Sequence, residues 1–395
     1  MCRFSFQAVY LDSLLLIPYF LFRIMSRWFL PNPASVAPGV LAAQVTPPGI
    51  GTLLQPSIVS ERLKEFFFPS SQPPVFFPCT REGLLQMAAE WFLDRNIFMI
   101  VNGPMSQEWA DIAVDCHASV TVFDPGYATA PDLSALGLEL QKEKFDILMF
   151  VETDAYLGTS LNANAICAEF REKCPDGLIV ADISGCVFCG FDEAISSLAD
   201  ICLCASEIAM GVPPGLGMAV LNERAHTRLL AHNIENGRYF NYARRTVSRS
   251  TSALDVPVYP LLNALNEQID AILTEGIPER LERMTTVRNF IYEWAEQRGF
   301  SVLAPPEISA VNATVIKLPP EMAPQEMADF AGRYGVFVTP GTEQMGKDLL
   351  ILYHGNDTTA DDAVALVRVL DRFIADYDTR RRNIPLSQQP QEQKV

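Results

Sequence analysis

Three ionisable side chains stand at or just beyond the ends of short apolar runs that are typical of strands. They are Asp182, Glu207 and His354. Carboxylates and imidazoles take and give protons in enzymes, and ligands of α/β proteins bind beyond the carboxyl ends of parallel strands. These three residues are therefore the first acid–base candidates. None of the seven lysines lies in the loop around Glu207, so the sequence shows no amine there.

The cysteines offer only a weak metal-binding pattern. Nine are present, among them Cys186-x-x-Cys189 and Cys202-x-Cys204. The second pair alternates along one strand, so both side chains should share one face of the sheet and act as small hydrophobic groups. We expect neither a metal site nor a disulfide scaffold. An odd number at irregular spacing is typical of a reducing compartment, which predicts a cytoplasmic location.

Composition narrows the class of partner. The chain has 395 residues and a formal net charge of −17, which argues against nucleic acid or an anionic membrane as a partner. The apolar run at residues 14–22 is too short to span a bilayer. Residues 1–27 are predicted to be an apolar extension. For residues 1–24 a start at Met25, an interfacial helix and a targeting segment stay open.

Short apolar runs alternate with amphipathic segments from residue 83 to residue 220. This order predicts an α/β fold in which helices cover both faces of a mainly parallel sheet. The Pro- and Gly-rich residues 28–55 predict an extended arm, followed by a helix that Ser60 could cap. We divide the chain into a large domain (28–265), a smaller C-terminal α/β domain (266–378) and a polar tail (379–395).

Six segments occur in an order and spacing that resemble those of one protein family. The most specific reads Ser206-Glu207-Ile208 and then Pro213-Pro214-Gly215, and it resembles a Ser-Gln-Lys…Pro-Pro-Gly loop. The others are 29–43, 102–109, 152–158, 180–185 and 346–356. On these segments the chain resembles the class V aminotransferases of the alanine–glyoxylate and serine–pyruvate kind over roughly residues 28–375.

The resemblance implies the fold type I architecture of enzymes that use pyridoxal phosphate. It also implies a homodimer with its sites at the subunit interface. In that family a lysine holds the cofactor as a Schiff base, and an aspartate keeps the pyridine ring protonated. The resemblance gives the place of the aspartate to Asp182. The hydroxyl groups that it places within reach of the cofactor are those of Thr80, Thr153, Ser184 and Ser206.

Several positions depart from the family pattern. Ile208 stands at the lysine position, Glu207 at a glutamine, Glu108 at an arginine, and Leu350 at the arginine that binds the substrate carboxylate. Isoleucine cannot form an imine, and leucine cannot replace a guanidinium as the partner of a carboxylate. The phosphate turn, at residues 78–83, has also lost its small hydroxyl-rich character, although Thr80 and Arg81 could still bind an anion.

We therefore predict a class V aminotransferase-like protein that does not transaminate and acts as a partner or ligand-binding protein. It would be a homodimer or a heterodimer with a related subunit. Two alternatives stay open. One is an enzyme that uses the same cavity for lysine-independent chemistry, with Asp182, Glu207 and His354 as acid–base groups. The other is a transaminase of small amino and 2-oxo acids with a displaced lysine, for which Lys347 is the candidate. Neither the non-transaminating protein nor the lysine-independent enzyme requires pyridoxal phosphate as a covalently bound cofactor.

Overall fold

A computed structural model describes residues 27–31, 34–45, 56–189, 198–231, 240–243 and 258–382. Predictions for the apolar run at 14–22, for the second half of the Pro- and Gly-rich arm and for residues 383–395 lie outside these ranges. The described residues form two large sheets with helices packed against them, as the sequence predicts, and one small two-stranded sheet.

A seven-stranded sheet forms the larger part of the fold, in the order β2-β10-β9-β8-β5-β3-β4. β10 is antiparallel to both neighbours and every other pairing is parallel. The strands are β2 Val75–Phe77, β3 Asn96–Ile100, β4 Ser119–Phe123, β5 Ile147–Val151, β8 Leu178–Asp182, β9 Ile201–Ala205 and β10 Gly217–Leu221. β6 (Thr153–Asp154) and β7 (Thr159–Ser160) form a small hairpin beyond β5.

Helices cover both faces of this sheet because successive residues of its central strands point to opposite sides and both sides are apolar. One face packs against α1 Pro38–Ala43, α2 Pro56–Phe67, α5 Leu133–Leu140, α6 Ala163–Lys173 and α8 Tyr259–Glu275. The other packs against α3 Arg81–Trp91, α4 Pro104–Asp115 and α7 Glu223–Ala231. Cys202 and Cys204 lie in the same buried cluster, which confirms that they share one strand face.

A five-stranded sheet forms the smaller part of the fold, in the order β1-β13-β14-β12-β11. Its strands are β1 Arg27–Phe29, β11 Ser301–Val302, β12 Ala313–Lys317, β13 Val336–Pro340 and β14 Leu349–Tyr353. Its helices are α9 Ile277–Gln297, α10 Pro324–Gly332 and α11 Ala360–Arg382. β1 pairs in parallel with β13, so the start of the arm belongs to the C-terminal sheet.

The structure corrects two local predictions. Residues 38–43 are helical, not extended, because Pro38 occupies the first turn and Val40 is buried against α8. Ser60 does not cap its helix, since α2 already begins at Pro56. The Ser60 hydroxyl instead donates a hydrogen bond to the carbonyl oxygen of Pro74 at 2.6 Å.

Two helices cross the boundaries that we drew from sequence. α8 runs from Tyr259 to Glu275, through the division between residues 265 and 266. α11 runs to Arg382, into the segment predicted as a polar tail. A helix can continue from one domain into the next, so these helix bounds do not locate the two domain boundaries, which remain predictions.

Candidate functional site

Five chain segments meet at the edge of the large sheet where its parallel strands end. Arg81 follows β2, Met105 follows β3, Asp154 lies beyond β5, Asp182 ends β8, and Glu207 follows β9. β2 runs in the same direction as β9 because both are antiparallel to β10. The edge is therefore the place where an α/β sheet binds ligands, and it carries one guanidinium among several carboxylates.

Asp182 is paired with Arg81 at the centre of this site. Its side chain is fully buried, and Arg81 is 5% exposed. Oδ2 of Asp182 accepts a hydrogen bond from Nε of Arg81 at 2.8 Å and lies 2.7 Å from Nη2 in the same ion pair, while Oδ1 accepts a hydrogen bond from the backbone N–H of Ser184 at 2.9 Å. Both oxygens of the carboxylate therefore already have donors from the protein.

Two further contacts hold the guanidinium of Arg81 in place. Nη1 pairs with Glu108, which is half exposed, and Nη2 donates to the carbonyl oxygen of Met105 at 2.9 Å. Burial lowers the pKa of Arg81, but the charges of Asp182 and Glu108 outweigh burial and raise it above its usual value. Arg81 is thus a fixed cation at the end of the sheet.

Glu207 lies at the N-terminus of α3. Its Oε1 accepts a hydrogen bond from the backbone N–H of Arg81, the first residue of that helix, at 2.5 Å. The N-terminus of a helix attracts anions through its free N–H groups and its dipole. Burial raises the pKa of Glu207, partly offset by this hydrogen bond and by the charge of Arg81. Its Oε2 is buried without a hydrogen-bond partner.

Asp154 adds a third buried carboxylate, at the N-terminus of α4. Its Oδ2 accepts a hydrogen bond from the N–H of Met105 at 2.9 Å, and its Oδ1 accepts one from Tyr156 at 2.9 Å. Gly103 makes this approach possible, since a Cβ at that position would lie 2.5 Å from Oδ2. Burial raises the pKa of Asp154 to about 6, although the backbone donors and Arg81 act in the opposite direction.

Ile208 lies in a loop closed by hydrogen bonds of its own chain. The side chain is 1% exposed and belongs to the same buried apolar cluster as Met105 and Tyr353. The hydroxyl of Ser206 donates to the carbonyl oxygen of Pro213 at 2.7 Å and accepts from the N–H of Leu216 at 3.2 Å. These bonds fix the loop without any group at the position of Ile208.

The other predicted hydroxyl groups have different positions. The Ser184 hydroxyl accepts a hydrogen bond from the N–H of Ala205 at 2.9 Å, between two strand ends. Thr153 pairs with Glu152 and donates to Ser160 at 3.0 Å. Thr80 is exposed and precedes the first turn of α3, and its hydroxyl makes no capping hydrogen bond.

His354 lies beyond β14, fully buried, with Nε2 at 2.8 Å from the hydroxyl of Thr314. Burial and the nearby charge of Arg288 lower its pKa to about 3, so the ring is neutral near pH 7. The acid–base role of His354 stays a prediction.

Two more candidates lie in the smaller part of the fold. Leu350 is fully buried in the apolar core of the five-stranded sheet, in a cluster with Ile316 and Leu370. Lys347 lies on the surface with a side chain that is 72% exposed, and its Nζ pairs with Glu343 at 2.5 Å. A lysine arriving from position 347 would have to leave this surface pair.

Sequence reasoning missed Asp154 and the internal use of Arg81. We expected Arg81 to bind an anion, but its partners are carboxylates of the protein itself. The sequence did contain a signal for this pairing. Arg81 is a long cation in the turn at 78–83, where the family has small residues, and carboxylates stand at Glu108 and Glu207, where the family has arginine and glutamine. Among the residues that the structure describes, no group of three metal-ligating side chains could hold a metal ion. Within the same residues, no helix is both long and apolar enough to cross a membrane.

Comparisons with known proteins agree with the architecture. No protein-family model matches the chain. An uncharacterised aminotransferase of Methanocaldococcus jannaschii is 23% identical over 340 residues, which cover 82% of this chain and 86% of that protein. Alanine–glyoxylate aminotransferase 1 of Saccharomyces cerevisiae is 23% identical over 198 residues, which cover 47% of this chain and 51% of that protein.

A solved structure supports the same conclusion at the level of the fold. Pyridoxamine–pyruvate aminotransferase of Mesorhizobium loti superposes with a TM-score of 0.81 at 19% identity, covering 89% of this chain and 92% of that chain. The fold is therefore that of the fold type I enzymes that use pyridoxal phosphate. The resemblance to class V aminotransferases that the sequence shows is confirmed by these relatives and this structure.

The residues of this site do not fit a pyridoxal phosphate held as a Schiff base. The position that the sequence resemblance assigns to the lysine holds a buried isoleucine. The carboxylate that the resemblance places against the ring nitrogen is paired with Arg81 through one oxygen and accepts from Ser184 through the other. The helix N-terminus that would receive the phosphate already holds the carboxylate of Glu207. We therefore derive no catalytic step through this cofactor.

Proposed function

We propose that this chain is a class V aminotransferase-like protein that does not catalyse amino transfer. It keeps the scaffold and uses it as a partner or ligand-binding protein. The observation that carries the proposal is the ion pair between Arg81 and Asp182, because it occupies the carboxylate that the resemblance places against the pyridine ring. Amino transfer needs a base that moves a proton on the bound substrate, and Ile208 offers none.

The surroundings of Ile208 support the same proposal. The loop from Ser206 to Leu216 is closed by its own hydrogen bonds, and Asn356 donates to the carbonyl oxygen of Ile208 at 3.1 Å. Isoleucine thus serves as an apolar core residue at a position that the family uses for chemistry. A fold kept without its catalytic lysine is suited to assembly with a second copy of this chain or with a related subunit. We place this assembly in the cytoplasm.

One observation favours a second candidate, an enzyme with lysine-independent chemistry. Asp154, with a pKa of about 6, and Glu207, with a raised pKa, both lie close to the cation of Arg81. Carboxyl groups with a raised pKa are suited to general acid–base catalysis. Glu108 is half exposed, so the cluster reaches solvent on one side.

An amino-transfer assay tests the proposal. The purified chain, supplied with pyridoxal phosphate, an amino acid donor and pyruvate or glyoxylate, should give no more product than a heat-denatured sample. Turnover that disappears in Lys347→Ala but survives in Lys317→Ala would instead establish a transaminase with a displaced lysine. Lys317 is a matched control because it too is exposed and paired with an acidic residue, Asp348.

A further inference from the structure

We propose that Arg81 and Glu207 are an internal substitute for the cofactor. The guanidinium of Arg81 takes the part of the protonated ring against Asp182, and the carboxylate of Glu207 takes the part of the phosphate at the start of α3. This inference deepens the proposed loss of amino transfer, on which it rests. The site would then be occupied by charged groups of the chain itself, in addition to lacking one lysine.

The first half concerns the cation. A protonated pyridine ring offers a carboxylate one positively charged N–H donor. Arg81 donates one charged N–H to Oδ2 of Asp182, from Nε at 2.8 Å, and places Nη2 2.7 Å from the same oxygen, from a side chain that is 5% exposed. A hydrogen bond between two charged groups is roughly twice as strong as one between neutral groups. A ring could reach Oδ2 only by displacing a buried guanidinium that also contacts Glu108 and Met105.

The second half concerns the anion. Phosphate groups bind at helix N-termini because backbone N–H groups and the helix dipole face them. In this chain the N–H that opens α3 donates to Oε1 of Glu207 at 2.5 Å. Glu207 is 4% exposed, and its Oε2 is buried with no hydrogen-bond partner. A second anion at the same helix end would face a fixed carboxylate and a donor already in use.

The two substitutions are connected through one residue. The backbone N–H of Arg81 binds Glu207, and its side chain binds Asp182. A single position in the former phosphate turn therefore supplies the donors for both contacts. This connection explains why an altered turn and a changed glutamine occur together with a retained aspartate.

Restoring the site stepwise tests the inference. Three full-length variants are compared: Ile208→Lys alone, Ile208→Lys with Arg81→Gly, and the same pair with Glu207→Gln. Each is incubated with pyridoxal phosphate, reduced with borohydride, and analysed by peptide mass spectrometry for a pyridoxyl group at position 208. We expect at least tenfold more label in the triple variant than in Ile208→Lys. Equal label in the single and triple variants would overturn the inference.

The same experiment separates this inference from the proposed function. Stoichiometric label on a lysine of the unmodified protein would refute the absence of a cofactor-bearing lysine. Full label in Ile208→Lys alone would leave that absence intact and refute only the internal substitute. The two failures therefore have different signatures.

Arg81→Gly is expected to be destabilised, so a second measurement does not depend on labelling. Ethylguanidinium, a small cation of the same chemistry, should enter the space left by the side chain. Ligand binding to the folded state raises the unfolding temperature. We expect millimolar ethylguanidinium to raise the melting temperature of Arg81→Gly by about 2 °C or more.

The unmodified protein and Arg95→Gly should show no such increase, because the side chain of Arg95 is 42% exposed and leaves no buried space. An Arg81→Gly variant that folds with unchanged stability and gains nothing from the cation would overturn the inference. An Arg81→Gly variant that is recovered folded only in the presence of the cation would support it.

Discussion

The pair between Arg81 and Asp182 should be strongly coupled in a double-mutant cycle. Asp182 is fully buried, so Arg81→Ala leaves an uncompensated charge in the core. Breaking a buried pair on one side costs about 3–5 kcal/mol of unfolding free energy. The double variant, with both Arg81→Ala and Asp182→Ala, removes that charge as well. Its loss of unfolding free energy should therefore be about 2–3 kcal/mol smaller than the summed losses of the two single variants.

Urea denaturation followed by tryptophan fluorescence measures the four free energies of this cycle. A matched control is the pair between Arg298 and Asp371, whose N···O distance is also 2.8 Å but whose side chains are 41% and 34% exposed. Exposed pairs typically contribute about 0.2–1 kcal/mol. If the effects at Arg81 and Asp182 add within about 0.5 kcal/mol, as independent sites do, the pair is not the buried anchor described above.

Three further predictions concern single groups. The raised pKa of Asp154 means that the folded state holds the proton of this carboxyl group more tightly than the unfolded state does. The contribution of Asp154 to the free energy of unfolding should therefore fall as pH rises from about 4 to 6. The stability of Asp154→Asn relative to the unmodified protein should therefore rise over that range by about 2 kcal/mol, and a flat difference would contradict the assignment. The lowered pKa of His354 has the opposite sign, so His354→Gln should reduce the loss of stability as pH falls from 6.5 to 5 by about 2 kcal/mol, measured by urea denaturation at each pH. Leu350→Arg should cost about 3–5 kcal/mol because its charge would be buried in the smaller core, and a stable variant that gains affinity for carboxylates would show that this position faces the site after all.

The architecture was predictable from sequence because it is specified by redundant local patterns. Central strands such as β5 and β8 are apolar throughout, which only a sheet covered on both faces allows. The six segments that resemble the class V aminotransferases, in their fixed order, predicted the fold type I architecture. The helix at Pro38–Ala43 was missed because proline and glycine are common both in extended segments and at helix starts.

The site was only partly predictable. Asp182 and Glu207 were identified from their places at strand ends, and the structure brings both to Arg81. The direction in which a long side chain points depends on tertiary packing, so sequence could not show that Arg81 turns inward to Asp182. His354 was also chosen from its place beyond a strand, and its acid–base role stays a prediction because a residue just beyond a strand can face either side of the sheet.

Reductive labelling of the unmodified protein tests the central claim most directly. The full-length chain is incubated with excess pyridoxal phosphate, reduced with borohydride and analysed by intact and peptide mass spectrometry. We predict that no lysine carries a stoichiometric pyridoxyl group. Any trace label on exposed lysines should be lost to the same extent at every lysine when a second aldehyde competes for them. One pyridoxyl group per chain on a single lysine, resistant to such competition, would contradict the account.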